Sequence, residues 1–355
     1  MRSSTTAGML AVMALLLAAC SAPASTSTTT GSGTPTAAPS SSSSTSASSS
    51  ASTADLDLYA GTEAAVAPRG TVTTRTVRTP DGLTRSYRLF VPSGGLGVAP
   101  LLVALHGGLG NGAQFESNSG FDGLATSNRF LVAYPDGVGR AADGSGGART
   151  WNGGDCCGPA ASRKVDDVAF LKLLVNDVAR AHSVDPDRVF AIGHSNGGIM
   201  ALRLACEASD VFAAVGAQSS ALEVATCDPR NPVSAMQIHG TADTNVPFEG
   251  GRGSGLAGIA FEPPKQAAAR LAAADRCTAG PTTTTDATNP DLVLTAWSSC
   301  ASSTAVQFLA VTGAKHAWMG HPPSSPLAKT LVGTPYPDLD SSRALWSFVS
   351  AHPRT

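Results

Sequence analysis

Residues 188–204 restrict the fold more than any other stretch. The run Val189-Phe190-Ala191-Ile192 passes directly into Gly193-His194-Ser195-Asn196-Gly197, and Gly198-Ile199-Met200-Ala201-Leu202-Arg203-Leu204 follows at once with helical apolar spacing. A β-rich run that turns into a helix within five residues is the start of a crossover connection, the unit from which helix-covered parallel sheets are built. The G-x-S-x-G pattern occurs once in the chain. Between these flanks it reads as a tight elbow that lifts Ser195 out of the sheet in a strained backbone geometry. Side chains at Gly193 and Gly197 would collide with the neighbouring strand or helix. The turn also leaves the Asn196 N–H at a helix N-terminus, where partial positive charge stabilises a developing oxyanion. Ser195 is the candidate nucleophile.

The surrounding chain repeats this alternation. Strands are predicted at 87–91, 101–105, 130–134, 189–192, 213–217, 234–239 and 306–311, several of them apolar on both faces. Such strands suit a sheet covered on both sides. Helices are predicted at 166–182, with Val168, Leu171, Val175 and Val178 on one face, and at 198–206, 264–274 and 341–351. The expected fold class is α/β, one domain over residues 69–355 with a mostly parallel central sheet flanked by helices.

The second oxyanion donor is expected where residues 101–105 run into His106-Gly107-Gly108-Leu109-Gly110, at the N–H of Gly108 or Leu109. His106 itself reads as a packing or hydrogen-bonding residue. For the acid, Asp243 follows the 234–239 strand in a sharp turn, whereas Asp228, Glu223 and Asp275 lack a preceding strand. For the base, His316 follows a strand and a turn bearing Gly313; His321 is the alternative and His352 lies at the C-terminal end. A serine hydroxyl is too weakly acidic to attack alone, so His316 would take its proton while Asp243 holds the imidazole tautomer, and acyl transfer to Ser195 would precede attack by water.

These pieces resemble the extracellular polyhydroxybutyrate depolymerase and feruloyl esterase family of α/β-hydrolases, which also holds acetylxylan esterases. The resemblance runs from Tyr87 to Trp318 and rests on Leu105-His106-Gly107-Gly108, Tyr134-Pro135-Asp136-Gly137, Trp151-Asn152 with Cys156-Cys157-Gly158, Val165-Asp166-Asp167-Val168, the Ser195 elbow with Gly198, His239-Gly240-Thr241-Ala242-Asp243 and His316-Ala317-Trp318. It implies an α/β-hydrolase fold, a Ser195, Asp243, His316 triad, and no cofactor or metal, with Trp151 and Trp318 bordering the acyl site. Met319-Gly320 departs from the Pro-Gly that usually follows His-x-Trp, which bears on the shape of that loop. Secreted depolymerases of solid polyester carry a binding module after the catalytic domain; this chain ends at Thr355. The expected substrate is therefore a soluble or envelope ester: a short hydroxyalkanoate oligomer, a feruloyl ester or an acetylated sugar. A non-catalytic envelope protein that uses the fold for binding, and acyl transfer to an envelope sugar, are the alternatives.

The N-terminal residues point outside the cytoplasm. Arg2 and the apolar run 9–19 read as an export signal too short to span a bilayer. Leu17-Ala18-Ala19-Cys20 resembles a lipoprotein cleavage box, which would leave Cys20 acylated and the protein tethered to a membrane; secretion is the alternative. Residues 21–68 form the expected stalk, about two-thirds Ser and Thr over its first 34 positions, too poor in apolar groups to offset its ordering entropy. The six cysteines beyond Cys20 suit disulfides, Cys206 with Cys227 and Cys277 with Cys300 first, while Cys156 and Cys157 either bond each other or more distant partners. No Cys or His spacing suits zinc. With 24 basic against 26 acidic residues, sparse and unclustered, nucleic acid is not an expected partner.

Overall fold

Alternation along one buried strand sets the layering. In Ala99–Leu105 every residue is buried. Leu101, Val103 and Leu105 enter one apolar core and Leu102 and Ala104 the other, on the opposite face of the sheet. Each of the buried Leu and Val side chains contributes about 1.5–3 kcal/mol. The computed structural model describes residues 66–355 except 256 and 324. The export signal, Cys20 and the stalk up to residue 65 lie outside the described residues.

In chain order the strands are β1 (Gly70–Arg78), β2 (Thr84–Pro92), β3 (Ala99–Leu105), β4 (Leu131–Pro135), β5 (Val184–His194), β6 (Ala214–Gln218), β7 (Ser234–Gly240), β8 (Gly251–Arg252), β9 (Ala260–Phe261), β10 (Ala279–Thr285), β11 (Leu292–Ser298) and β12 (Val306–Val311). Among the described residues, β8 and β9 form a small ribbon and the other ten strands make one sheet, ordered β1-β2-β4-β3-β5-β6-β7-β12-β11-β10. The centre from β4 to β12 is parallel. Both margins are antiparallel, β1 and β2 on one side and β11 and β10 on the other. The expected mostly parallel sheet is thus mixed, with its parallel part confined to the buried middle.

Helices Asp167–Ala181, Asn196–Glu207 and Pro264–Ala274 contribute to one core. Gly112–Ser119, Phe121–Asn128 and Ser341–Ala351 contribute to the other. Asp166, expected as the first helical residue, instead caps its helix by accepting the Ala169 N–H at 2.9 Å. Disulfides join Cys156 to Cys157, Cys206 to Cys227 and Cys277 to Cys300.

A half-buried carboxyl makes stability depend on pH. Glu223 sits in the loop after β6, and burial, reinforced by the charges of Glu262 and Asp155, pushes its carboxyl up to about 7. A carboxyl raised in the folded state favours folding at low pH, and that contribution is lost as the pH climbs from the unfolded value near 4.5 through about 7. Glu223→Gln is expected to raise Tm by a few degrees at pH 8 and to change it little at pH 5. Calorimetry at the two pH values checks this; an equal shift at both would contradict it.

Candidate active site

Backbone crowding explains the elbow. A Cβ on Gly193 would lie 2.2 Å from the Gly197 carbonyl oxygen, and one on Gly197 would lie 2.3 Å from that of Leu105. Only glycine permits the chain to reverse this close to the end of β3. Ser195 is held at φ 53°, ψ −123°, outside the common regions for an L-residue. Its N–H donates to the Gln218 carbonyl at 2.9 Å, tying the elbow to the neighbouring β6.

Three distant segments converge on the hydroxyl. His316, on the loop after β12, places Nε2 2.9 Å from Ser195 Oγ. Its Nδ1 lies 2.8 Å from Asp243 Oδ2 at the end of β7. A carboxylate there accepts a proton-bearing Nδ1, which leaves Nε2 bare to accept from the serine. The other Asp243 oxygen, Oδ1, accepts the backbone N–H groups of Asn245 at 2.9 Å and Val246 at 3.1 Å. Burial alone would raise this carboxyl, but the charge and hydrogen bond of His316, the nearby His239 and the Val246 N–H outweigh it and hold it at about 2.

The side of the cleft where oxyanion donors are expected is lined by main chain. Asn196 opens the helix after the elbow, so its N–H has no intrahelical acceptor. Its side chain locks this position by donating to the Trp151 carbonyl at 2.9 Å and accepting the Trp151 N–H at 2.7 Å. Across from it, the two expected donors separate. The Leu109 N–H is already given to the Arg149 carbonyl at 2.8 Å. No acceptor among the described residues takes the Gly108 N–H, and a Cβ on Gly108 would lie 3.6 Å from the Asn196 Cβ. Gly108 and Asn196 therefore keep main-chain donors side by side, while the Leu109 donor is spent on Arg149.

The two tryptophans also part company. Trp318 lines the cleft above Ser195, about 690 Å³ in volume, and its ring packs edge-on against Phe115 with centroids 5.3 Å apart. Trp151 does not line it. Its ring is fully buried, with the indole N–H donating to the His106 carbonyl at 2.9 Å, so it supports the oxyanion loop from beneath. His106 is buried as expected of a packing residue: Nδ1–H donates to Gly107 O at 2.8 Å, Nε2 accepts from Gly137 N–H at 2.9 Å, and burial depresses its pKa to about 4. Below these lies the ion pair Arg85–Asp167, 2.8 Å apart and almost wholly enclosed, whose carboxylate also accepts the Asn152 N–H. The Trp151-Asn152 and Asp166-Asp167 motifs thus frame the site without entering it.

Two positioning residues escape sequence reasoning. His194, the variable residue of the elbow, donates Nε2–H to the His316 carbonyl at 2.7 Å. Burial, then the neighbouring His316, lowers its pKa to about 3, so it serves as a neutral tether. Gln218 donates to the Ala317 carbonyl at 2.8 Å and accepts the Met319 N–H at 3.2 Å. A proline at 319 has no N–H for the second bond, which is the structural meaning of the Met319 departure. Of the other histidines, His321 lines the cleft beside Asp340 and His352 packs on Phe348. Among the described residues no His, Cys, Asp or Glu cluster could hold a metal ion.

Residues 85–248 match the family model described as Esterase PHB depolymerase. Feruloyl esterase B of Piromyces equi is 32% identical over 237 residues, 64% of this chain and 41% of the relative. The chain spans about half the length, or less, of the curated relatives it matches. In fold it is similar to the acetyl xylan esterase from Aspergillus awamori, with TM-score 0.51, 18% identity and coverage of 70% of this chain and 94% of that one. It is also similar to a ferulic acid esterase from Anaeromyces mucronatus, with TM-score 0.53, 13% identity and coverage of 83% and 95%. Residues 85–248 are thus similar to the Esterase PHB depolymerase family, and the fold is that of an α/β-hydrolase.

Proposed function

We propose that the protein is a serine carboxylic ester hydrolase that works through an acyl-enzyme on Ser195. The observation that carries this is the unbroken chain from Ser195 Oγ to His316 Nε2 at 2.9 Å and from His316 Nδ1 to Asp243 Oδ2 at 2.8 Å. His316 takes the hydroxyl proton as Oγ bonds to the ester carbonyl carbon, and the resulting oxyanion faces the N–H groups of Asn196 and Gly108. Collapse expels the alcohol, which receives the proton from His316. Water, deprotonated by the same imidazole, then attacks the acyl carbon and releases the acid and Ser195. The Oγ–acyl bond made in the first half is broken in the second, so that over both halves one water is consumed, the ester becomes acid and alcohol, and Ser195 and His316 return to their starting states without a cofactor.

The substrate range is a short hydroxyalkanoate oligomer, a feruloyl ester or an acetylated sugar, a reading supported by the names of the related esterases. Export with lipid attachment at Cys20, followed by the 21–68 stalk and the 69–355 catalytic domain, completes the proposal. The three disulfides favour an oxidising compartment. A fluorophosphonate probe is expected to label the protein once, at Ser195, by peptide mass spectrometry, in parallel with loss of 4-nitrophenyl acetate turnover. Labelling elsewhere with turnover lost would move the nucleophile; no labelling and no turnover would remove the enzyme reading.

A further inference from the structure

Beside the Asp243 carboxylate stands a second imidazole that the reaction does not use. His239 is wholly enclosed near the end of β7, on the face of the strand opposite Met236 and Ile238. Its ring packs near Phe248, with centroids 6.2 Å apart, and Phe248 packs in turn on Phe308. An apolar side chain would suit these rings. A histidine there carries a penalty, because its Nδ1 meets no hydrogen-bond partner among the described residues. What the other ring nitrogen touches must offset that penalty.

Nε2–H donates to the Val246 carbonyl at 2.9 Å, which makes Nδ1 the bare nitrogen of a neutral ring. Burial, the largest influence, lowers the pKa of this histidine and keeps the ring in that form. The same Nε2 lies 3.6 Å from Asp243 Oδ2, the oxygen that faces His316. That is too long for a hydrogen bond, yet it sets the positive end of the N–H dipole beside the carboxylate. Val246 is thereby held at both ends: its N–H donates to Asp243 Oδ1 at 3.1 Å and its carbonyl accepts from His239. Pro247 follows, and its ring stiffens the chain there. The segment from His239 to Val246 thus closes around the carboxylate. Main-chain bonds fasten it to the loop that carries His316, from the Thr241 N–H to the Val311 carbonyl at 2.9 Å and from the Ala242 N–H to the Ala314 carbonyl at 3.0 Å. The Gly313 N–H returns to Thr241 Oγ1 at 2.9 Å. These bonds fix the backbone of the acid, and His239 bears on the direction of its side chain.

The geometry points to His239 as a positioning residue for Asp243: its Nε2–H clamps the Val246 carbonyl and keeps the carboxylate turned toward His316. His239 does not line the cleft above Ser195, so it meets no substrate, and its loss acts on the chemical step and not on binding. The inference rests on the hydrolase reading and adds a residue to that site.

The test compares His239→Phe, which keeps a ring beside Phe248 but has no donor, with His239→Gln, whose amide donor has about the reach of Nε2. With 4-nitrophenyl acetate, His239→Phe is expected to lower kcat about 10- to 100-fold at unchanged KM, because the carboxylate is free to turn. His239→Gln is expected to recover most of that loss. Once Asp243→Asn has removed the carboxylate, adding His239→Phe should cost nothing further. Should His239→Phe fail to fold, His239→Leu, which removes the donor without adding volume, reads the same way. An unchanged kcat, or a loss that multiplies with that of Asp243→Asn, overturns the role and leaves the hydrolase standing. The proton resonance of His316 Nδ1–H reads the positioning without turnover: it is expected to shift in His239→Phe and to return in His239→Gln. That pattern in a protein whose wild type turns over no ester keeps the positioning role and overturns the hydrolase. A resonance that does not move in His239→Phe overturns the role whatever the rates.

Discussion

Ser195→Ala, His316→Ala and the double variant are each expected to lose about 10⁴- to 10⁶-fold in kcat, with the double variant no worse than either single one. The reason is geometric. The hydroxyl and the imidazole meet at 2.9 Å and act as one unit, so removing either leaves the other nothing to do. What survives is main chain: the Asn196 and Gly108 N–H groups do not depend on the Ser195 or His316 side chains, and they set a residual rate above that in water. Alanine at 195 adds no Cβ that serine lacks, so the strained φ of 53° and the bond from the residue 195 N–H to Gln218 persist and the fold should hold. Turnover of 4-nitrophenyl acetate, with Tm as a control, measures this. Losses that multiply in the double variant would show that the two side chains act separately. Near-normal activity in His316→Ala would transfer the base to another histidine.

The centre of the sheet was legible because period and burial coincide there. The predicted 306–311 strand and the 264–274 and 341–351 helices match the observed limits. The two outermost strands were not, because they carry little apolar signal. Gly70–Arg78 is exposed along most of its length, and Ala279–Thr285 is largely threonine; both are held by pairing to one neighbour. Leu292–Ser298 is buried and apolar, and it is missing from the seven predicted strands. The helices Gly112–Ser119 and Phe121–Asn128 are short and rich in Ser, Thr and Asn, residues that compete with helix through local hydrogen bonds, so tertiary packing decides them; Gly158–Ser162 and Pro326–Val332 are too short for a helical period to show.

Within the site, the side chains that meet in the hydrogen-bonded chain from Ser195 through His316 to Asp243 were readable, and the relations defined by main-chain traffic were not. Ser195, Asp243 and His316 follow from an elbow and two strand ends. Choosing Gly108 over Leu109 needs the Arg149 carbonyl, which approaches from a loop 40 residues away. The burial of Trp151 needs the Arg85–Asp167 pair and Phe170 beneath it; the Arg85 guanidinium lies 4.1 Å from the Phe170 ring centroid and 5.9 Å from that of Trp151. Neither relation has a spacing in sequence.

Asp243→Asn is expected to lower kcat/KM about 10⁴-fold at neutral pH while leaving the fold intact. An amide can present either its oxygen or its nitrogen to His316, and the surroundings decide which. The Oδ1 position receives two backbone N–H groups, from Asn245 at 2.9 Å and Val246 at 3.1 Å, so an asparagine must place its oxygen there. Its NH₂ then takes the Oδ2 position, 2.8 Å from His316 Nδ1. Facing a donor, Nδ1 must accept, the ring proton moves to Nε2, and Nε2 can no longer take the proton of Ser195 Oγ. The wild-type carboxylate, held at about 2, avoids this by staying ionised throughout the range above the ordinary carboxylate pKa. It also contributes stability that is complete above the unfolded value of 3.8 and is lost as the pH falls through about 2, a contribution the asparagine lacks. Nitrogen chemical shifts of the His316 ring report the tautomer directly. A ring still protonated at Nδ1, with a rate near wild type, would mean that the two backbone N–H groups do not control the amide, and the orientation argument would fail with them.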